Sequence, residues 1–219
     1  MTFTIIARDA DTGTIGVATA TGNIAVGAQV PHCQFGVGAI LTQGHSTNVL
    51  YARTGMPLLA RGDPAAAVTR TLLDADNGKD YRQMAVMDAR GQSCGWTGSL
   101  NGEYKQHHAT ENLVVAGNLL VGPEVLEAMI STARSTAGVP LCARLLAALA
   151  AGQSAGGDRR DICSAALLVD AGAGARLDLR IDYHEKPIEA LVDLHERASE
   201  KDYRDFLKRL PDERDPHRY

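Results

Sequence analysis

The order in which strand-like and helix-like segments alternate most narrows what this chain can fold into. Residues 2–8 read as a strand, Asp9-Ala10-Asp11-Thr12-Gly13 carries turn chemistry, and residues 15–20 read as a second strand, so the first two form a hairpin. Residues 25–30 read as a short third strand ended by Pro31, and residues 36–42 as a fourth. The pattern then turns helical over residues 48–60, through Leu50, Met56 and Leu58-Leu59, with Gly55 and Pro57 expected to interrupt or bend it. Asp63 is placed as the cap and Pro64 as the first position of a helix over 65–73. A hairpin over 82–88 and 93–97 follows, then strands over 102–107 and 112–116. Helices are expected from Pro123 to about 135 and over 141–150, strands over 162–169 and 175–181, and closing helices over 187–198 and 201–210.

Hairpins separated by paired helices indicate an α+β layered domain. Two antiparallel sheets packed together and covered by helices would make a four-layer αββα sandwich. One domain over residues 1–210 is expected, followed by a charged tail over 211–219, with no internal repeat and the 153–157 stretch as a surface loop. Aromatic residues are 5% of the chain while glycine and alanine are plentiful, which favours close layers of sheet and helix.

Charge and motif content narrow the function classes. A net charge of −4 argues against a nucleic-acid surface, and no apolar run is long enough to span a membrane. No signal-peptide layout is seen, so a cytoplasmic location is expected. Cys33, Cys94, Cys142 and Cys163 form no C-x-x-C pair, and His107-His108 point to opposite faces of a strand. No metal and no cofactor are expected. A small-molecule substrate and a homodimer are the expected partners.

Thr2 is the leading candidate nucleophile. If Met1 is removed, Thr2 carries a hydroxyl and its own base, an α-amine whose unperturbed pKa of about 7.7–8.0 lies close to neutrality. Thr4 shares a strand face with Thr2, so two hydroxyls line one side of the strand start. Threonine is also a good strand former, and both residues can be read that way. Asn118, between a strand and a helix start, could donate to an oxyanion or simply cap a turn. Gln43 and His45 flank Gly44 at a strand end, where a loop can present side chains to a pocket, with His45 a possible proton shuttle. Asp158 and Arg159, beside Gly156-Gly157, could orient a substrate through an arginine fork or form a surface ion pair. Ser164 opens a buried strand and either faces the site or satisfies backbone groups. Cys33 is the alternative nucleophile.

The blocks Thr2-Phe3-Thr4-Ile5-Ile6-Ala7-Arg8-Asp9 and Thr12-Gly13-Thr14-Ile15-Gly16-Val17-Ala18 resemble the start of the DUF1028 family. The resemblance continues through Ala25-Val26-Gly27, Val30-Pro31, Gly36-Val37-Gly38-Ala39, Thr42-Gln43 and Gly117-Asn118-Leu119-Leu120-Val121-Gly122. It closes through Gly156-Gly157-Asp158-Arg159-Arg160, Ser164-Ala165-Ala166-Leu167-Leu168-Val169, Asp178-Leu179-Arg180-Ile181-Asp182, His184 and Pro187-Ile188. It implies an N-terminal nucleophile hydrolase fold, with amide-bond hydrolysis as the ancestral chemistry. Proteasome subunits, which the start also resembles, carry a lysine near the nucleophile. The first lysine here is Lys79, and Arg8 cannot act as a base. A non-catalytic ligand-binding or assembly protein on the same scaffold is the alternative expectation.

Overall fold

The computed structural model describes residues 2–157, 161–172, 174, 176–212 and 215–219. In chain order the strands are β1 (Thr2–Arg8), β2 (Ile15–Thr21), β3 (Pro31–Gln34), β4 (Gly38–Gly44), β5 (Arg82–Asp88), β6 (Ser93–Thr97), β7 (Lys105–Thr110), β8 (Leu113–Asn118), β9 (Ser164–Asp170) and β10 (Leu177–Ile181). They form two antiparallel sheets. Six strands pair in the order β10-β9-β2-β1-β8-β7, and four in the order β3-β4-β5-β6. The six α-helices among the described residues are α1 (Leu50–Ala60), α2 (Ala65–Asp74), α3 (Glu124–Ser135), α4 (Leu141–Ser154), α5 (Pro187–Ala198) and α6 (Lys201–Arg209). None is long and apolar enough to cross a membrane.

Alternation along each strand sends its side chains to two different cores. Phe3, Ile5 and Ala7 of β1 pack with Leu126 and Met129 of α3 and with Leu145 and Leu149 of α4. Burying Phe3 and Ile5 completely contributes about 2 kcal/mol each. A Cβ built at Gly16 would sit 2.7 Å from Leu145 Cδ1 and 2.8 Å from Val169 Cγ2, so a larger residue there would force these side chains to shift. The opposite face of the same sheet supplies Ile6, Val17, Val114 and Leu168, which pack with Leu41, Ala85 and Met87 of the four-stranded sheet. That sheet turns Ile40, Met84 and Val86 the other way, against Tyr51 and Leu59 of α1 and Val68 and Leu72 of α2.

The structure corrects five local readings. The expected third strand is a 3-10 turn over Val26–Ala28, entered by Ala25 at a left-handed φ of 58°. Pro31 does not end a strand; it begins β3, an edge strand, where a missing N–H costs least. Helix α1 runs unbroken through Gly55 and Pro57. Gly55 lets the helix lie close to β4, since a Cβ there would meet Ile40 Cδ1 at 2.5 Å and push that side chain aside. Asp63 does not cap α2, whose N-cap is Pro64; the Ala65 N–H instead donates to Asp88 Oδ2 at 3.3 Å. The expected strands over 102–107, 112–116 and 175–181 begin later, at Lys105, Leu113 and Leu177.

Candidate functional site: a polar seam at one end of the inter-sheet space

Cross-strand register lines up one polar row at the start of β1. Thr2 faces Thr21 on one side and Asn118 on the other. The row extends outward to Ser164 opposite Thr21 and to Lys105 opposite Asn118. The next row, one turn of the pleat deeper, holds Ala166, Thr19, Thr4, Ala116 and His107. Below it the face becomes wholly apolar with Val17, Ile6 and Val114. The facing sheet repeats the gradient: Gln43, Gln83 and Thr97 lie in one row, above Leu41 and Ala85. Polar side chains of both sheets therefore meet at one end of the inter-sheet space.

Gln83 anchors this seam and sets its hydrogen-bond polarity. It is fully buried. Its Nε2 donates to the Gly117 and Gln106 carbonyls at 2.8 and 3.0 Å and reaches Thr97 Oγ1 at 2.9 Å. Carbonyl oxygens only accept, so this nitrogen cannot be exchanged with the oxygen. Gln83 Oε1 must then accept, and it takes bonds from Gln43 Nε2 at 2.7 Å and Asn118 Nδ2 at 3.1 Å. Gln43 also sends Nε2 toward the Thr2 carbonyl at 3.3 Å. Its Oε1 accepts the Thr4 hydroxyl proton at 2.6 Å. The Thr19 hydroxyl, 2.7 Å from Thr4 Oγ1, is left to donate to it.

These assignments place each expected site residue. Thr2 is 7% exposed, and its Oγ1 lies 3.1 Å from Thr21 Oγ1. Thr4 is completely buried beneath it and gives its proton to Gln43, so it belongs to the support of the site. Asn118 gives one Nδ2 hydrogen to Gln83, and its Oδ1 is buried without a hydrogen-bond partner. Gln43 joins the two sheets. Ser164 stands at the end of the Thr2 row but is committed to the neighbouring loop, donating to Asn23 O at 2.6 Å and accepting from Val26 N–H at 3.2 Å. His45 is exposed; its ring lies 5.9 Å from that of Tyr81, tilted by 43°, and its backbone N–H donates to Asn101 Oδ1. Asp158 and Arg159 lie outside the described residues. Cys33 sits in the inter-sheet core, where burial pushes its thiol up to about 12 and its Sγ faces the Ile15 and Leu168 carbonyls. A thiol so held is no nucleophile near neutrality.

Sequence reasoning missed Gln83, Thr19, Thr21, Thr97 and His107. His107 closes the seam on the β7 side: its Nδ1 lies 2.8 Å from Thr97 Oγ1. Burial holds its pKa below the ordinary histidine value, which keeps the ring neutral and able to accept there. The ring fits because β6 has Gly95 opposite it; a Cβ at that position would lie 2.3 Å from His107 Cδ2. Lys105 ends the Thr2 row, but its Nζ donates to Gly102 O at 2.7 Å. Apart from Lys105 at the end of the row, the described seam side chains carry no formal charge. The loops around this end expose Ile24, Tyr81, Leu100, Val121 and Tyr183. Surface hollows lie elsewhere, among them one of about 430 Å³ between the end of α4 and the start of α5 and one of about 340 Å³ between β3 and β10. Neither is lined by Thr2, Asn118 or Gln83.

Comparison with known proteins gives a family. Over residues 2–191 the chain matches a family of unknown function, DUF1028. It is similar to the crystal structure of protein SPO2555 from Silicibacter pomeroyi, a DUF1028 protein, at 33% identity and a TM-score of 0.93, covering 99% of this chain and 98% of that one. Anbu (ancestral beta-subunit) from Yersinia bercovieri aligns over 96% of this chain and 98% of its own at 12% identity and a TM-score of 0.39, a likeness too low to support any statement about fold or function. No curated protein matches. On the family match and the close structural neighbour together, the chain belongs to DUF1028.

Proposed function

We propose that this chain is a small-molecule amidase of the N-terminal nucleophile type, built on a four-layer αββα sandwich. The observation that carries the reading is the place of Thr2. It is the first residue of a central strand, it faces the space between the sheets, and it stands at an end of that space where both sheets are polar. Three cores, helix on sheet, sheet on sheet and sheet on helix, support the four layers.

The chemistry follows from the residue itself. Cleavage of the peptide bond before Thr2 frees its α-amine. That amine takes the Thr2 Oγ1 proton as the oxygen attacks a substrate carbonyl, forming a C–O bond. The amine of the substrate leaves as the C–N bond breaks, carrying the proton delivered by the α-ammonium. Water then hydrolyses the ester and restores Thr2. The buried amides below position the nucleophile without competing for the reaction, since Thr4 and Gln43 are spent on each other. The exposed apolar residues in the loops around this end suit a substrate with an apolar acyl group.

The test starts from protein with Thr2 as its first residue, verified by intact mass, and a panel of anilides of short acyl groups and of amino acids. Thr2→Ala should lower any hydrolysis by at least about a hundredfold, and Thr2→Ser should retain part of it. Full activity in Thr2→Ala overturns the mechanism. A second reading, a ligand-binding protein on the same scaffold, is favoured by the near-complete burial of Thr2. Retention of Met1 in protein purified from its native source would favour it further.

A further inference from the structure

The orientation of Asn118 is fixed from the interior, and it leaves an acceptor pointing at nothing. Gln83 can only accept from Asn118, because its own nitrogen is held by two backbone carbonyls. Asn118 therefore presents Nδ2 inward and Oδ1 away from Gln83. That oxygen belongs to a residue 1% exposed and has no hydrogen-bond partner. Among the described residues the only other buried side-chain atom in this state is Thr69 Oγ1, on α2. A buried acceptor left unpaired is costly, and one beside a candidate nucleophile calls for a donor.

Register names the donor. Asn118 is the direct cross-strand partner of Thr2, on the same face of the sheet. As long as a residue precedes Thr2, its nitrogen carries one hydrogen. Once that bond is cut, the same nitrogen becomes an ammonium with three, or an amine with two. We propose that Asn118 Oδ1 is the acceptor that receives and orients the Thr2 α-amine after processing. Asn118 is a positioning residue on this assignment. One of its two Nδ2 hydrogens is committed to Gln83, and on this assignment its Oδ1 aims the base. Processing then completes a hydrogen-bond network that the unprocessed chain leaves one donor short.

The inference rests on Thr2 becoming the first residue, and the experiment supplies that state directly. A fusion is cut to leave Thr2 at the N-terminus, threonine is labelled with carbon-13, and the Thr2 α-amine is titrated by its Cα shift in the full chain. An acceptor favours the charged form, so Asn118→Leu should lower the amine pKa by about one unit. Asn118→Asp retains an acceptor and should leave it at or above the wild-type value. A merely structural asparagine would not move this titration, and an unchanged pKa in Asn118→Leu overturns the proposal. If Asn118→Leu does not fold, the crystal structure of the processed wild-type chain decides. A nitrogen within about 3.2 Å of Oδ1 is expected, and one beyond about 4 Å overturns the assignment. The two readings fail separately. A responsive amine in a protein that cleaves no amide sinks the amidase reading alone. An active enzyme whose amine ignores Asn118 sinks this one alone.

Discussion

Gln83 is the residue on which the seam depends, because one side chain satisfies groups from four strands. It bonds Gln43 of β4, Thr97 of β6, the Gln106 carbonyl of β7, and Asn118 and the Gly117 carbonyl of β8. Replacing it by leucine keeps the volume but strands two buried amides and removes a donor from two carbonyls. Each such loss costs about 1–3 kcal/mol, so Gln83→Leu should destabilise the fold by about 3 kcal/mol or more in denaturant unfolding. A change below about 1 kcal/mol would mean that water or a shifted neighbour replaces these bonds. Thr2 could be singled out from the sequence because its chemistry is carried by one residue and its position in the chain. Gln83 could not, since nothing local distinguishes it from a solvent-facing glutamine at a strand start. A signal did exist: Gln83 shares its face with Ala85 and Met87, and Gln43 shares its face with Ala39 and Leu41. A glutamine at the end of an apolar strand face marks where a core turns polar. Recognising it requires knowing which face is inward, and that depends on the pairing of the two sheets.

At the scale of elements, the junction of α1, the turn after α2 and β5 is tied by one carboxylate. Asp76 accepts from Asn48 Nδ2 and Tyr51 Oη at 2.8 Å each, from the Gly78 N–H at 2.7 Å, and from Arg82 Nε at 3.2 Å. Burial alone would raise its pKa, but these donors outweigh it and hold the carboxyl at about 2, below the ordinary value of 3.8. The folded pKa is depressed, so the stabilisation is fully present above about pH 4. It is lost as pH falls toward 2, and it amounts to about 2 kcal/mol. Asp76→Asn should therefore lower stability at pH 7 and flatten the decline between pH 4 and 2. An acid limb identical to wild type would show that Asp76 is not its source. The hairpins and helices were legible because turn residues and periodicity are local. The misread third strand was not: Val26 and Val30 look like strand residues, but both are buried in the core between the sheets from a 3-10 turn and the residues after it. Helix α1 likewise keeps Pro57 because tertiary packing of Tyr51, Ala52, Gly55 and Leu59 outweighs the lost backbone bond.

Across the whole molecule, stability and proposed chemistry are separated along one axis. The inter-sheet space is apolar in the middle, where Val17, Ile6 and Ala85 lie, and polar at the end where Thr2 lies. The helices that close the chain differ in the same practical sense. Helix α5 belongs to the core, with Leu191 fully buried and Ile188 nearly so. Helix α6 buries none of its residues and leaves Tyr203 and Phe206 about two-fifths exposed. The family match ends at residue 191, within α5. Within the expected single domain over 1–210, α5 is packed into the body and its removal should be destructive, whereas α6 lies on the outside and its removal should not be. Deleting residues 199–219 should shift the melting temperature by no more than about 3 °C, the equivalent of about 1 kcal/mol for a chain this size. Deleting residues 187–219 also strips two buried aliphatic side chains from the core over α4 and β9. At about 2 kcal/mol each, together with the surface they cover, that should lower the melting temperature by about 10 °C or abolish folding. Equal losses from the two truncations would mean that α6 is docked more firmly than its exposure implies. A harmless longer truncation would mean that α5 covers the sheet without stabilising it. Because both cuts lie on the helix side of the six-stranded sheet and Thr2 faces the other side, the shorter chain should also keep whatever amidase activity the processed protein has.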